Sequence, residues 1–245
     1  MSQNHKITLM YKGTNFSGWQ IQKNAETIQE EVEKAFSVIL RQSIELVGAS
    51  RTDAGVHADN YVAHSFFDTD IENERIILGV NAILPDDIKV KSIENCDDDF
   101  HSRYSAKSKT YIYRFDISKH GNVFIRPYVW RYKYPLNYEE MQKCPQYFLG
   151  KHDFSAFMSK GGQAKTFERT IYECILTKEN DIITLKIRGD GFLYNMVRII
   201  AGTILSVGKG FINASDIPDI ILSKERKKAG ITAPPEGLML YEIEY

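Results

Sequence analysis

Two apolar runs of period two face each other across a glycine-bracketed loop. Ile44 and Leu46 lead in, while Tyr61, Ala63, Ser65 and Phe67, with Val62 and Phe66 opposite, lead out. Because side chains alternate across a strand, this pattern predicts two strands joined by Gly48-Ala49-Ser50-Arg51-Thr52-Asp53-Ala54-Gly55-Val56-His57-Ala58. Gly48 and Gly55 tolerate positive φ and close backbone approach, so the loop can turn tightly and set side chains against a ligand. In an extended stretch residues i and i+2 share a face, which points Arg51 and Asp53 the same way. An arginine so placed would hold the carboxyl ionised.

The flanking sequence alternates between strand and helix periods. Ile7, Leu9 and Tyr11 predict a strand that runs into the turn residues Gly13, Asn15 and Gly18, with Trp19 following. Thr27-Ile28-Gln29-Glu30 has a capping-box pattern ahead of Ile28, Val32, Phe36 and Ile39 at helical spacing. Asp70 is placed to cap a helix carrying Ile76, Ile77 and Val80, stopped by Pro85, and Ile88-Lys89-Val90 reads as a short strand. Farther on, Tyr111, Tyr113, Phe115 and Ile117 fall on one face of a strand. Asn137 with Glu140 opens a helix that Pro145 kinks and Gly150 ends. Two strands pair across Glu179-Asn180-Asp181. A helix starting at Asp190-Gly191 carries Leu193, Met196, Val197, Ile200 and Ile204, with Arg198 off that stripe. A helix near Ser215 to Lys224 and a strand from Leu238 to Tyr245 close the chain. Hairpins mixed with helices predict an α+β fold of two similar domains, with largely antiparallel sheets and helices on one face. The acidic run Asp97–Asp99 divides them into residues 1–99, carrying the Asp53 loop, and residues 100–245, carrying the Tyr111 strand and the Arg198 helix.

Charge narrows the partner. The net charge of −1 argues against a nucleic-acid binder, but it averages two opposed segments. Phe67 to Asp99 holds ten Asp/Glu against three Lys/Arg, whereas Phe100 to Tyr138 holds eight Lys/Arg against one Asp and is crowded with tyrosine. A basic, aromatic-rich segment suits a polyanion groove with stacking platforms; solvated faces of ordinary elements give the same count. Three cysteines, Cys96, Cys144 and Cys174, lack C-x-x-C spacing and suggest neither a disulfide framework nor a zinc site. The longest apolar run, Ile199 to Val207, is too short to cross a bilayer, and Met1 to Lys6 carries no apolar signal region, so a cytoplasmic protein is expected.

Three chemical readings of the loop stand side by side. Asp53 with Arg51 is a surface ion pair, or a functional carboxylate, or part of a hydrolytic metal site with His57, Asp59 and His64. The last has poor spacing: His57 and Asp59 share a strand face, and His64 lies on the other. Tyr111 belongs by pattern to a core face. Arg198, on a mostly apolar helix, needs a partner such as a carboxylate. No G-x-S-x-G, Walker A or strand-borne G-x-G-x-x-G motif occurs.

Taken together, the motifs resemble the bacterial tRNA pseudouridine synthase A family. Ser50-Arg51-Thr52-Asp53-Ala54-Gly55-Val56-His57-Ala58 resembles its active-site motif, and Tyr11, Gly13, Phe16 and Gly18-Trp19-Gln20 its first loop. Asn81, Leu84-Pro85 and Asp87-Ile88 resemble its middle, and Tyr104-Ser105-Ala106 with Tyr111 its basic strand. Leu149-Gly150 with Asp153-Phe154, Asn195-Met196-Val197-Arg198 with Gly202, and Ala233-Pro234 with Glu236-Gly237-Leu238 resemble its C-terminal signatures. Ser50, Lys12, Tyr61 and Glu168 stand where the family usually has glycine, aspartate, glutamine and an apolar residue. Lys12 and Tyr61 are expected to bear on RNA contacts.

The resemblance implies cofactor-free isomerisation of uridine to pseudouridine at positions 38, 39 and 40 of the tRNA anticodon stem-loop, by a homodimer. It implies Asp53 as the catalytic aspartate in a cleft between the domains, Arg51 beside it and Arg198 paired with it. Tyr111 would pack on the uracil and Leu238 form a wall. Arg103, Lys107, Lys109, Arg126 and Arg131 are expected to contact phosphates. Two rival classes remain: a tRNA-binding protein without catalysis, indifferent to Asp53→Asn, and a metal-dependent hydrolase, silenced by chelation.

Overall fold

The computed structural model describes residues 2–245. The chain divides into two compact units, one running up to Lys107 and including Leu240–Tyr245, the other Ser108–Met239. The acidic run Asp97–Asp99 falls inside the first.

The first unit is built from β1 (Gln3–Tyr11), α1 (Ile28–Leu40), β2 (Val47–Gly48), β3 (His57–Phe67), α2 (Asn73–Ile83) and β4 (Ile88–Asn95). β1 lies between β3 and β4 and is antiparallel to both, with Gln3 opposite Phe67 and Ile7 opposite Ile93. The short β2 pairs with β3, setting Val47 opposite His64 and Gly48 opposite Ala63. The predicted inward face of β3, Tyr61, Ala63, Ser65 and Phe67, is buried. Val62 and His64 on the other face are buried too. Ser102 accounts for the His64 side: its N–H donates to His64 Nδ1 at 3.1 Å and its hydroxyl to Val47 O at 2.6 Å.

At the start of α1 the structure departs from the capping-box pattern. Thr27 makes no capping bond, its Oγ1 is buried without a partner, and Glu30 pairs with Lys34 at 3.0 Å instead. Two first-turn N–H groups, on Ile28 and Gln29, donate to Gly18 O and Trp19 O at 3.1 and 3.0 Å. A neighbouring loop therefore supplies what the local motif does not. α2 likewise starts at Asn73, with Glu72 rather than Asp70 at its cap, and ends ahead of Pro85.

The second unit comprises β5 (Ser108–Asp116), β6 (Trp130–Arg131), α3 (Tyr138–Gln142), β7 (Gly150–Asp153), β8 (Glu168–Glu179), β9 (Ile182–Gly189), α4 (Met196–Gly208) and α5 (Ile217–Ser223). Its strand order is β5-β9-β8-β7, antiparallel throughout, with β6 alongside β5 in parallel. Asn137 caps α3 as expected, its side chain accepting Glu140 N–H at 3.1 Å. α4 begins at Met196, later than Asp190-Gly191, because Asp190 Oδ1 instead accepts the Thr170 N–H at 2.9 Å. Every residue of α4 except Arg198 is buried. The final strand β10 (Leu238–Glu244) has its residues from Leu240 onward in the first unit, where it lies beside β3. Largely antiparallel strands combined with helices make this an α+β fold.

Candidate active site

The loop from Gly48 to Ala58 is clamped by the segment that follows β1. A Cβ on Gly48 would lie 2.2 Å from Tyr61 Oη and 2.5 Å from Trp19 Nε1, so only glycine lets the chain pass there. Tyr61 stacks on Trp19 with centroids 4.1 Å apart, and its hydroxyl donates to Ser50 O. Ala49 N–H donates to Val62 O at 2.9 Å. Beyond Ser50, Trp19 N–H donates to Thr52 O at 3.1 Å, and Gly55 N–H to Phe16 O at 3.3 Å. Gly18, at φ +91°, would carry a Cβ 2.5 Å from Thr52 O, so a second glycine permits this approach. Val56 N–H closes the turn onto Asp53 O at 3.1 Å, with Gly55 at φ +81°.

This clamping sorts the side chains. Thr52 turns inward, where its Oγ1 lies 2.8 Å from the Tyr11 hydroxyl. Its neighbours alternate outward, Arg51 exposed and Asp53 half-buried, as expected for an extended stretch. Main-chain bonds on both sides of Asp53 set the course of the loop.

The residues of the metal reading go separate ways. His57 is buried, and its Nδ1 accepts the Gly13 N–H at 3.0 Å. Asp59 pairs with Lys91 at 3.2 Å, and His64 belongs to the Ser102 contact. Among the described residues, no three His, Cys, Asp or Glu side chains are grouped to hold a metal ion.

In the second unit Arg198 is fixed from two sides. Its Nε donates to Ala233 O at 2.7 Å, and its Nη1 to Asn195 Oδ1 at 2.7 Å. Asn195 adopts the left-handed conformation, φ 61°, and its Nδ2 donates to Ser159 Oγ at 3.0 Å. The strand of chain around Ala233 is laid on α4 by glycine: a Cβ on Gly202 would meet Ile231 O at 1.9 Å. Gly230 N–H donates to Thr203 Oγ1 at 2.9 Å, and Ala233 N–H to Arg198 O at 3.1 Å. Tyr111 is buried on β5, opposite Ile187, with Phe192 edge-on at 5.1 Å. Leu238 is buried at the head of β10. Nearby, Tyr113 donates to Pro234 O at 2.8 Å, and burial, with Glu236 adding, pushes its phenol well above the ordinary range.

The basic residues divide between the units. Arg103 and Lys107 are exposed in the first; Arg126 is exposed and Lys109 half-buried in the second. Arg131 departs from a purely solvent-facing role, since its Nη2 donates to Lys119 O at 3.0 Å and its stem lies against Gly121.

The chain was compared with known proteins at the level of sequence and of fold. The solved archaeal box H/ACA sRNP Nop10-Cbf5 complex aligns with a TM-score of 0.42 at 13% identity, over 93% of this chain and 60% of that one. A family model described as tRNA pseudouridine synthase matches residues 7–105 and 145–245. The tRNA pseudouridine synthase A of Acetivibrio thermocellus is 47% identical over 243 residues, 99% of this chain and 100% of that protein. That of Ruminiclostridium cellulolyticum is 46% identical over 241 residues, 98% of each. The chain belongs to the tRNA pseudouridine synthase A family.

Arg51, Asp53, Arg103, Arg198 and Leu238 lie inside the stretches matched to the tRNA pseudouridine synthase model, while Lys107, Lys109, Tyr111, Arg126 and Arg131 lie between them. Tyr61 is fully buried against Trp19, so its ring supports the loop from within. Lys12 pairs with Asp87 at 3.4 Å, and Glu168 with Lys151 at 3.4 Å. Sequence reasoning missed Asn195 as the holder of Arg198 and the Tyr11–Thr52 bond beneath Asp53. The one available signal for Asn195 was its type, since asparagine tolerates the left-handed region ahead of a helix.

Proposed function

We propose that this tRNA pseudouridine synthase acts at positions 38, 39 and 40 of the anticodon stem-loop, as a homodimer in the cytoplasm, with Asp53 as its catalytic aspartate. The observation that carries this reading is the clamped loop, which turns Thr52 inward and leaves Arg51 and Asp53 facing outward.

The reaction breaks the bond from ribose C1′ to uracil N1 and forms one from C1′ to C5. C5 loses its hydrogen to solvent, and N1 gains a proton. Uracil must detach, turn and reattach without escaping, so the site has to hold the base and keep water out. A carboxylate serves this chemistry by attacking C1′ or by removing a ribose proton. We assign Arg198 as its charge partner, Tyr111 as the ring that packs on the uracil and Leu238 as an apolar wall. Arg51, beside Asp53, is assigned to the RNA backbone at the reacting nucleotide. Base flipping costs a few kcal/mol, and stacking on one aromatic ring returns roughly 1–3 kcal/mol, so Tyr111 offsets much of the penalty. Phosphate contacts from Arg103, Lys107, Lys109 and Arg126 supply sequence-independent affinity, with Arg131 also steadying its own loop.

The deciding experiment follows tritium release from a tRNA transcript labelled at uracil C5, for wild type and Asp53→Ala, in the presence of EDTA. Release by the wild type alone is expected, because C5 loses its hydrogen only when a new carbon bond forms there. Failure of the folded wild type to release tritium from any tRNA would leave the binding-only reading. Activity lost to EDTA alone would favour the metal-dependent one.

A further inference from the structure

One exposed aromatic ring in the first unit is held more firmly than a surface side chain requires. Tyr104 is 76% exposed, yet the turn beneath it is tied in four places. Arg103 N–H and Tyr104 N–H both donate to His101 Nδ1, at 3.1 and 3.3 Å. Ser105 N–H donates to His101 O at 2.9 Å, and Ser105 Oγ accepts the His101 N–H at 3.0 Å. The His101 ring lies 4.3 Å from the Tyr104 ring, and the Arg103 guanidinium 5.7 Å from the same ring.

The turn is also anchored to the strand that opens the catalytic loop. Ser102, inside the turn, donates its hydroxyl to Val47 O at 2.6 Å and its N–H to His64 Nδ1 at 3.1 Å. Val47 and His64 are register partners in β2 and β3, the two strands that flank the Gly48–Ala58 loop. Arg103 makes no ion pair among the described residues, and no acid occurs between Phe100 and Asp116. A pre-ordered, solvent-facing ring beside an unneutralised guanidinium matches what an unpaired nucleobase and its phosphate require.

We propose that His101, Arg103 and Tyr104 form a stacking step for an unpaired base of the RNA substrate, with Tyr104 as the platform and Arg103 reaching the adjoining phosphate. This rests on the tRNA reading above and adds a binding site to it. Because the turn is already ordered, little conformational entropy is lost when a base settles on the ring. Phenylalanine keeps the stacking surface, whereas alanine removes it.

The test is titration of an in vitro tRNA transcript into wild type, Tyr104→Ala, Tyr104→Phe and Arg103→Gln at several salt concentrations, alongside tritium release. Tyr104→Ala should weaken binding by roughly tenfold and raise KM by the same factor, with Tyr104→Phe near wild type. Its melting temperature should stay within about 2 °C, the side chain being exposed. The salt slope separates the two roles: Arg103→Gln should lower it by about one, and Tyr104→Ala should leave it unchanged. A folded Tyr104→Ala protein that binds within twofold of wild type would overturn the proposal. So would a Phe variant as weak as Ala, or a change of oligomeric state by sedimentation with tRNA affinity intact. The titration decides the stacking step whether or not the wild type releases tritium, so the two readings fail separately.

Discussion

The Asp53 loop and the Arg198 helix start solve the same problem in opposite ways. Around Asp53, glycines admit backbone close to backbone, and main-chain bonds on both sides of it, with the Tyr61 and Tyr11 hydroxyls, set the course of the loop. Around Arg198 the candidate functional side chain is itself a brace, bridging Asn195 and Ala233. A carboxylate is short and aims where its backbone aims it, whereas a long guanidinium must be oriented by what its nitrogens touch. Function and stability should therefore be coupled most tightly at Arg198, while the aim of Asp53 should depend on the backbone that carries it.

Asp53→Ala is the sharpest way to break that contrast. Turnover measured by tritium release should fall on the order of 10⁴-fold, with a smaller drop in melting temperature than Arg198→Lys gives. A large fall in melting temperature would mean that the carboxylate helps to build the loop. Arg198→Lys should do both kinds of damage. Lysine keeps the charge but loses the fork, so two charge-assisted bonds worth roughly 2–3 kcal/mol together are lost, lowering the melting temperature by about 5–10 °C. Turnover should drop about a hundredfold. Loss of activity at unchanged stability would show that the brace is dispensable.

Gly18→Ala attacks the first region through its backbone. The new Cβ would sit 2.5 Å from Thr52 O at a φ of +91°, so the Thr52–Asp53 segment must move. A cost of about 1–3 kcal/mol and a tenfold or greater loss of turnover are expected, read by thermal melting and tritium release on one preparation. Retained activity would mean that Asp53 tolerates displacement.

Much of the first region was legible in the sequence because its devices are local. Glycines at Gly48 and Gly55, alternation on both sides and the i, i+2 relation of Arg51 and Asp53 follow from residue type and spacing. The second region was legible only as a question: Arg198 off an apolar stripe needs a partner, but spacing cannot reveal that Asn195 turns left-handed or that Ala233 offers its carbonyl. The failed capping box at Thr27 teaches the same point. A local motif competes with tertiary contacts, and the carbonyls of Gly18 and Trp19 reached the helix start first. The second face of β3 was hidden likewise, since a turn whose Ser102 lies 38 residues downstream in sequence covers His64.

A smaller effect is expected from the Tyr11–Thr52 bond, and a double-mutant cycle sharpens it. Tyr11→Phe leaves the buried Thr52 hydroxyl without that bond and should cost about 1–2 kcal/mol. Adding Thr52→Val removes the second polar group as well, so the double variant should recover part of the loss. Additive losses would show that the two hydroxyls act independently.

The smallest effect concerns pH, and it belongs to the first region only. Burial holds His64 below the ordinary histidine range, with His101 adding to the shift and the Val47 carbonyl opposing it. His5, stacked on Phe67 at 3.7 Å, is lowered by burial against the opposing Gln3 carbonyl. Below about pH 6.5 the unfolded chain takes up protons that the folded form refuses, so the unfolded state gains. The stabilisation is complete above the unfolded value and is lost as pH falls through the lowered folded value. Melting temperatures at pH 7.5, 6.5 and 5.5 should therefore decline for the wild type, and His64→Asn should flatten that decline. The same turn carries Tyr104, so tRNA affinity should weaken over this range in the wild type more than in a variant already lacking the ring. Parallel melting slopes in wild type and His64→Asn would move the acid sensitivity away from this turn and leave His5 to account for it.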